Sequence, residues 1–169
     1  MEFMQVIMKR KSIRKYNDTQ ISEEELKQIL LAGYVAPISR KDYASIRITV
    51  VQNKDLLQQI SSTANSNTDP LYGVPTLIIV STTKASVKNV EYLNVACMIE
   101  NMLLAATNLN IGSIYLTYFL LKLNKQKRIL SKLGIPEGFT PISAVGLGYI
   151  AGEEPKEDID FEHRMKLLY

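Results

Sequence analysis

Apolar positions recur at helical spacing in several segments of the chain. This spacing predicts a first helix over residues 3–9. Ser22 and Glu25, three positions apart, form a capping box that predicts the start of a second helix, which ends near Gly33. Further helices are predicted at 54–62, 90–109 and 122–133.

Four stretches carry the patterns of strands, and they cover residues 46–51, 76–81, 113–119 and 142–150. The first alternates between apolar and polar residues, whereas the second is a continuous apolar run and predicts a central strand. Gly146 and Gly148 lie inside the last strand, where glycines indicate close approach by another backbone or a ligand. The elements together predict an α+β domain over residues 1–152, with a mixed, mostly antiparallel sheet and helices on both faces.

The segment 90–109 is apolar nearly all round, which predicts a core helix rather than a surface one. Asn94, Asn101 and Asn108 argue against a membrane span, because each amide would be costly in lipid. Spaced seven apart, they form a stripe that is either a solvated edge or a polar seam in a helix–helix interface. Gly112 is expected to end the helix.

Composition limits the classes of function. The 169 residues are 46% hydrophobic and 22% charged with a net charge of +3, which gives no case for nucleic-acid or membrane binding. One cysteine, Cys97, and one histidine, His163, exclude an intramolecular disulfide and a Cys/His metal cluster, so no metal site is expected. Cys97 lies in an apolar helical run, which predicts a buried, inert thiol. Since no signal peptide is visible, we expect a cytoplasmic location.

A basic segment from Arg10 to Tyr16 follows the first helix. In an extended chain, Arg10, Ser12 and Arg14 would share one side. Two guanidinium groups and a hydroxyl on one side suit a phosphate or the polar groups of a flat heterocycle. The alternative is a solvated basic loop.

The pattern Arg-x-Ser-x-Arg-x-Tyr at these positions resembles the flavin-phosphate motif of the nitroreductase superfamily of FMN-dependent NAD(P)H oxidoreductases. Further stretches of the chain resemble the family, and they occur in the same order as in its members. They are the loop at Ala36-Pro37-x-Ser39-Arg40, the strand entry at Gly73-Val74-Pro75, the core helix from Asn94 to Ala106, the turn at 109–113 and the segment from Leu133 to Tyr149.

This resemblance implies a nitroreductase-like three-layer α/β/α fold and a homodimer with flavin sites at the subunit interface. It also implies an FMN enzyme that passes hydride from NAD(P)H through flavin N5 to a small organic oxidant, such as a nitroaromatic or a quinone, in a ping-pong cycle. The chemistry resides on the flavin, so no catalytic side chain is expected. Residues 153–169 would form a C-terminal arm that packs on the partner subunit.

The resemblance also assigns roles to individual residues. Leu116 and Thr117 match the family segment whose backbone touches N5, although strand packing is the alternative, and Asn67 is either a polar flavin contact or a loop residue without a role. Tyr43 and Tyr118 would stack on substrate or serve only in packing. The complete set of expected cofactor contacts is Arg10, Lys11, Ser12, Arg14, Arg40, Lys41, Asn67, Leu116, Thr117, Lys156 and Arg164.

Two departures from the family pattern keep other functions open. The family often carries Asn-x-Gln-Pro-Trp where this chain reads Lys-Asp-Tyr-Ala-Ser at residues 41–45, so Arg40 or Lys41 would replace the missing Asn. The basic pair after the last strand is reduced to Lys156 and Arg164. A flavin-binding storage or regulatory protein without reductase activity is therefore one alternative, and a flavin-free interaction domain is another.

Overall fold

A computed structural model describes residues 1–64, 66–84, 90–152 and 166. Within these residues the chain forms helices and strands in the order α1 (Phe3–Lys9), α2 (Glu23–Tyr34), β1 (Ile46–Val51), α3 (Lys54–Ser62), β2 (Thr76–Thr82), α4 (Val90–Asn108), β3 (Gly112–Leu116), α5 (Leu120–Leu123), α6 (Lys127–Lys132) and β4 (Thr140–Gly148). Short 3₁₀ turns at Ser39–Lys41 and Tyr43–Ser45 join α2 to β1.

The four strands form one sheet with the order β1-β2-β4-β3. All three neighbouring pairs are antiparallel, and β1 pairs with β2 from Ile46 opposite Thr82 to Val51 opposite Leu77. An isolated parallel bridge between Ser12 and Ser113 adds the N-terminal segment beside β3. The expectation of a mostly antiparallel sheet is confirmed.

The strand β2 is buried along its whole length, as its continuous apolar run predicts. Leu77 and Ile79 pack on one face of the sheet with α3 and the α5–α6 region. Ile78 and Val80 pack on the other face with α2 and α4. Two hydrophobic clusters on opposite faces of one sheet make the three layers that the sequence predicted.

The capping residues behave as expected from the sequence. Ser22 Oγ accepts a hydrogen bond from the N–H of Glu25, and the Glu25 carboxylate accepts one in return from the N–H of Ser22. The Tyr149 hydroxyl donates a 2.7 Å hydrogen bond to the same carboxylate, which ties the end of β4 to the start of α2. Although burial raises the pKa of Glu25, the hydrogen bonds from Ser22 and Tyr149 outweigh it and leave the pKa below its usual value.

The asparagine stripe of α4 serves contacts within the chain. Asn94 Oδ1 accepts from the N–H of Ser39 at 2.9 Å, and Asn101 Nδ2 donates to the carbonyl of Ala32 at 3.0 Å. Asn108 Oδ1 accepts from the N-terminal amine at 3.1 Å. The stripe is therefore a polar seam between α4 and the segments that pack against it within the chain.

Two expectations for this region are wrong. Cys97 is exposed, because it lies on the face of α4 that neither α2 nor the sheet covers. Gly112 does not end the helix but begins β3. The left-handed residue is Asn110, with φ 57°, and the N–H of Ile111 closes a Schellman motif on the carbonyl of Ala106 at 2.9 Å.

The predicted helix over residues 122–133 is also wrong, since the chain forms α5 and α6 with a break at residues 124–126. The break lets buried Leu123 and Leu133, on either side of α6, reach the same hydrophobic cluster. The preceding strand ends at Leu116 rather than at 119, because the chain turns there and inserts Phe119 into that cluster.

The glycines of β4 do mark close approach, and the neighbours are side chains. A Cβ at Gly148 would stand 2.7 Å from Cδ of Pro75, and one at Gly146 would stand 2.6 Å from Cγ1 of Val74. Both contacts pack the segment that enters β2 against β4. None of the helices in the described ranges is long and apolar enough to cross a membrane.

Candidate functional site

The basic segment after α1 is held in an extended conformation from both sides. The N–H of Ile13 donates to the carbonyl of Ser113 at 2.9 Å, which attaches the segment to β3. The N–H of Asn17 donates to the carbonyl of Tyr149, and the N–H of Ala151 donates to the carbonyl of Lys15. Because Ile13 is buried, the alternation of an extended chain turns its neighbours Ser12 and Arg14 the other way.

Ser12 and Arg14 line one cleft with a volume of about 370 Å³. Its opposite walls come from the end of β3 and the turn after it, residues 114–119, and from the loop 66–72. The cleft therefore brings two members of the basic motif together with Leu116, Thr117 and Tyr118, which lie about a hundred residues later. The sequence predicted each of these five residues as a contact of cofactor or substrate.

A second cleft of about 420 Å³ adjoins the same segment. Ser12, Arg14 and Lys15 line it together with residues 150–152. The expected contacts Lys156 and Arg164 belong to residues 153–165, which lie outside the described residues.

Tyr16, the last residue of the motif, holds the backbone of the segment. Its hydroxyl donates a 2.6 Å hydrogen bond to the carbonyl of Ile13. Burial raises the pKa of this hydroxyl well above its ordinary value, and the nearby positive charge of Arg14 offsets only part of the effect. Tyr16 is therefore a neutral donor that shapes the motif rather than a proton carrier.

Arg10 and Lys11 lie at the start of the motif, where α1 ends. Arg10 is half-buried and donates its backbone N–H to the carbonyl of Val6. Lys11 lines a small cavity of about 20 Å³ with Lys9 and Ser113, and the buried Ser113 hydroxyl has no partner among the described residues. A cavity of this size beside a hydroxyl with no described partner suits a single bound water.

Arg40, Lys41 and Tyr43 do not line the cleft that holds Ser12 and Arg14. They lie in the 3₁₀ turns after α2, where Arg40 and Lys41 both have the left-handed φ values 58° and 54°. The Tyr43 ring stacks on Tyr34 with centroids 5.3 Å apart. Left-handed non-glycine residues in succession are strained and are found mainly where function or packing requires them.

Asn67 is exposed between Ser66 and Thr68, which both line the cleft. Sequence reasoning missed these two hydroxyls and missed Tyr72, whose ring lies near Arg14. The available signal was the turn sequence from Asp69 to Gly73, with Asp, Pro and Gly at positions typical of a tight turn. A turn signature alone does not say which side chain it presents.

The donors around the two clefts suit a phosphorylated flat ligand. The guanidinium group of Arg14 is exposed and Ser12 adds a hydroxyl, so both can contact an oxygen-rich group. The walls formed by residues 114–119 are largely apolar or aromatic and suit the face of a ring system. The residues present therefore fit the flavin mononucleotide that the sequence resemblance implies.

Known proteins resemble this chain over most of its length. The family model described as Nitroreductase family matches residues 7–69 and 56–149. A putative NADH dehydrogenase/NAD(P)H nitroreductase of Archaeoglobus fulgidus is 32% identical over 162 residues, 95% of this chain and 89% of that protein. A protein of the same name from Methanothermobacter thermautotrophicus is 30% identical over 169 residues, 99% of this chain and 87% of that one.

A crystal structure of a nitroreductase with bound FMN from Bacteroides fragilis superposes on this chain with a TM-score of 0.89. The two are 30% identical, and the alignment covers 100% of both chains. The three-layer fold expected from the sequence is thereby confirmed.

Proposed function

The chain belongs to the nitroreductase family, and from this premise we propose that it is an FMN-dependent NAD(P)H oxidoreductase that reduces a small organic oxidant. The observation that carries the proposal is the cleft in which Ser12 and Arg14 meet residues 116–118. Bound FMN would supply the hydride chemistry, in which NAD(P)H reduces it and a nitroaromatic or quinone reoxidises it in ping-pong order. A cytoplasmic location is part of the same proposal.

In this proposal the residues of the chain bind the cofactor and orient it. The guanidinium fork of Arg14 and the hydroxyl of Ser12 hold polar oxygens of the cofactor, and Arg10 and Lys11 add positive charge at the start of the motif. The backbone of Ile13 bonds to Ser113 in β3, and the backbones of Lys15 and Asn17 bond to residues just after β4, which fixes these donors before the ligand arrives. Leu116, Thr117 and Tyr118 form the wall against the ring.

We propose further that two copies of the chain form a homodimer with a flavin site at each side of the interface. Exposed apolar side chains of α4 and of the turn after β3 share one groove of about 640 Å³, namely Tyr92, Leu93, Tyr118 and Leu121. This groove adjoins the cleft, because Tyr115, Thr117 and Tyr118 line both. A large apolar patch on one chain is typical of an interaction surface.

The dimer also gives Arg40, Lys41 and Tyr43 a place in the site. The Ser39–Asn94 hydrogen bond fastens their turn to the first part of α4, next to Tyr92 and Leu93. A copy that covers this groove would bring its own strained turn towards the partner's cleft. Residues 153–169, a charged segment with an apolar terminus, would pack on the partner as a C-terminal arm.

An anaerobic reduction experiment tests the enzyme against its alternatives. The purified protein, loaded with FMN, should lose its visible flavin absorbance when NADH or NADPH is added, and a nitroaromatic or quinone should restore it. Persistent absorbance would instead identify a storage or regulatory protein. A protein that neither carries nor takes up flavin would be the interaction domain. Heat denaturation should release FMN and not FAD, because the basic motif suits a single terminal phosphate.

Removing either guanidinium group should weaken the cofactor site. We expect Arg10→Ala and Arg14→Ala each to raise the Kd of FMN by about tenfold to a hundredfold, because each loses a charge-assisted contact. Fluorescence titration of the apoprotein measures this change. Lys27→Ala, which removes a charge that pairs with Glu23 on the exposed surface of α2, is the matched control and should stay within about twofold. Unchanged affinity in both arginine variants would reject the motif assignment.

A further inference from the structure

The turn from Asp69 to Gly73 is fixed by one carboxylate. Asp69 Oδ1 accepts from the N–H of Leu71 at 2.9 Å and from the hydroxyl of Ser61 at 2.6 Å. Asp69 Oδ2 accepts from the N–H of Gly73 at 2.6 Å. Because Leu71 is also buried in the core, the turn is anchored at three points around the residue between them.

That residue, Tyr72, is held in a left-handed conformation with φ 58°. This backbone region is unfavourable for a bulky side chain, and residues held there cluster at functional sites. Glycine or asparagine would relieve the strain. The anchored turn therefore imposes an unfavourable conformation on an aromatic residue whose ring is exposed in the cleft.

This conformation places the Tyr72 ring beside the side chain of Arg14. The guanidinium carbon of Arg14 lies over the Tyr72 ring, 5.7 Å from its centroid, within the range of a cation–π contact. A guanidinium group that stacks on an aromatic ring keeps the N–H groups of its edge for oxygen acceptors. Among the described residues, this group also makes a long 3.4 Å hydrogen bond from Nη1 to the carbonyl of Ser12, which does little to fix a flexible side chain.

We propose that Tyr72 is a positioning residue that holds the guanidinium fork of Arg14 ready for the oxygen atoms of the bound flavin. The inference rests on the proposed function and adds a residue to it. The acceptors are the phosphate oxygens or the carbonyl oxygens on the pyrimidine edge, since both accept hydrogen bonds from a guanidinium group. Pre-organisation of this kind raises affinity because less side-chain freedom is lost on binding.

Two substitutions separate the ring from the backbone. Tyr72→Phe keeps the aromatic face, whereas Tyr72→Asn removes the ring but tolerates the left-handed conformation, so the turn should still form. We expect Tyr72→Asn to raise the Kd of FMN about two- to fivefold and Tyr72→Phe to leave it within about twofold. In an Arg14→Ala background, Tyr72→Asn should have no further effect, because the group it positions is gone.

Riboflavin, which lacks the phosphate, identifies the acceptor. If the fork holds the phosphate, the effect of Tyr72→Asn should vanish with riboflavin, and if it holds the pyrimidine edge, the effect should persist. Either result, together with the coupling to Arg14, supports the proposal. Two results would overturn this inference but leave the proposed function standing. One is an unchanged Kd for FMN in Tyr72→Asn, and the other is a Tyr72→Asn effect on the Kd that is as large in the Arg14→Ala background as in wild type. A wild-type protein that binds no FMN would overturn the proposed function with it.

Discussion

Replacing Phe119 by alanine is expected to lower the free energy of unfolding by about 3–5 kcal/mol. The ring is only 1% exposed and packs in the cluster with Leu120, Leu123 and Ile135. Truncation removes apolar surface from the core and leaves a cavity that the surrounding sheet and helices can fill only in part. Denaturant unfolding at one fixed protein concentration measures the change, since an oligomer's stability depends on concentration.

The Phe119 substitution should also affect the site. Phe119 lines the cleft and directly follows the segment 116–118, so its packing fixes one wall. We therefore expect the folded variant to bind FMN less tightly than wild type. Lys122→Ala, at an exposed position of α5 three residues after Phe119, is the control and should change stability by less than about 0.5 kcal/mol. A loss below about 1 kcal/mol for Phe119→Ala would mean that this turn is not anchored in the core as described.

The helices and strands with complete local signals were predictable from the sequence. The capping box at Ser22 and Glu25 and the cap at Asn53, which accepts from the N–H of Leu56 at 2.9 Å, both set helix starts correctly. The strand β2 was predictable because burial on both faces gives a continuous apolar run. In each case the stabilising contact lies within a few residues or follows directly from burial.

Predictions that depended on distant contacts were wrong. The break between α5 and α6 lets Leu123 and Leu133 pack in one cluster. The local pattern of residues 122–133 gives no sign of this packing. Exposure of Cys97 depends on which face of α4 the neighbouring layers leave uncovered. An apolar sequence does not distinguish a face that packs within the chain from one that another copy would cover.

The candidate site also contains residues that the local pattern predicts and residues that only distant contacts bring there. An extended segment with a buried Ile13 places Ser12 and Arg14 together, and simple alternation predicts this. The segment 116–118 lies near them only because of the order of the strands in the sheet. Apart from the family resemblance, nothing in these residues indicated that position. Tyr72 was missed because its role depends on a left-handed turn that a distant carboxylate interaction with Ser61 helps to hold.

The proposed dimer makes the second prediction with a large effect, and Leu93 is its most direct probe. Leu93 is 66% exposed on α4 and shares a groove with Tyr92, Tyr118 and Leu121, which are 55%, 70% and 65% exposed. An obligate interface buries more than about 2,000 Å² and is largely apolar, so exposed apolar side chains of this size are expected at its centre.

Leu93→Lys should dissociate the dimer. An ammonium group buried without a partner costs several kcal/mol, and a two-fold interface contains the substitution twice, so we expect the dimer Kd to rise by on the order of a thousandfold or more. Light scattering should show about 38 kDa for wild type, twice the 19.1 kDa of one chain, and the mass of one chain for the variant at micromolar concentration. Bound FMN should fall in parallel, because the cleft adjoins the groove.

Gln58→Lys is the matched control for this change. It adds the same charge at an exposed position of α3, in the layer on the other side of the sheet, and should leave both mass and flavin content unchanged. If Leu93→Lys remains a dimer that retains its flavin, the interface lies elsewhere on the chain. A wild-type protein that has the mass of one chain and still holds FMN would show that a single subunit completes the site, and the place proposed for Arg40 and Lys41 would then be wrong.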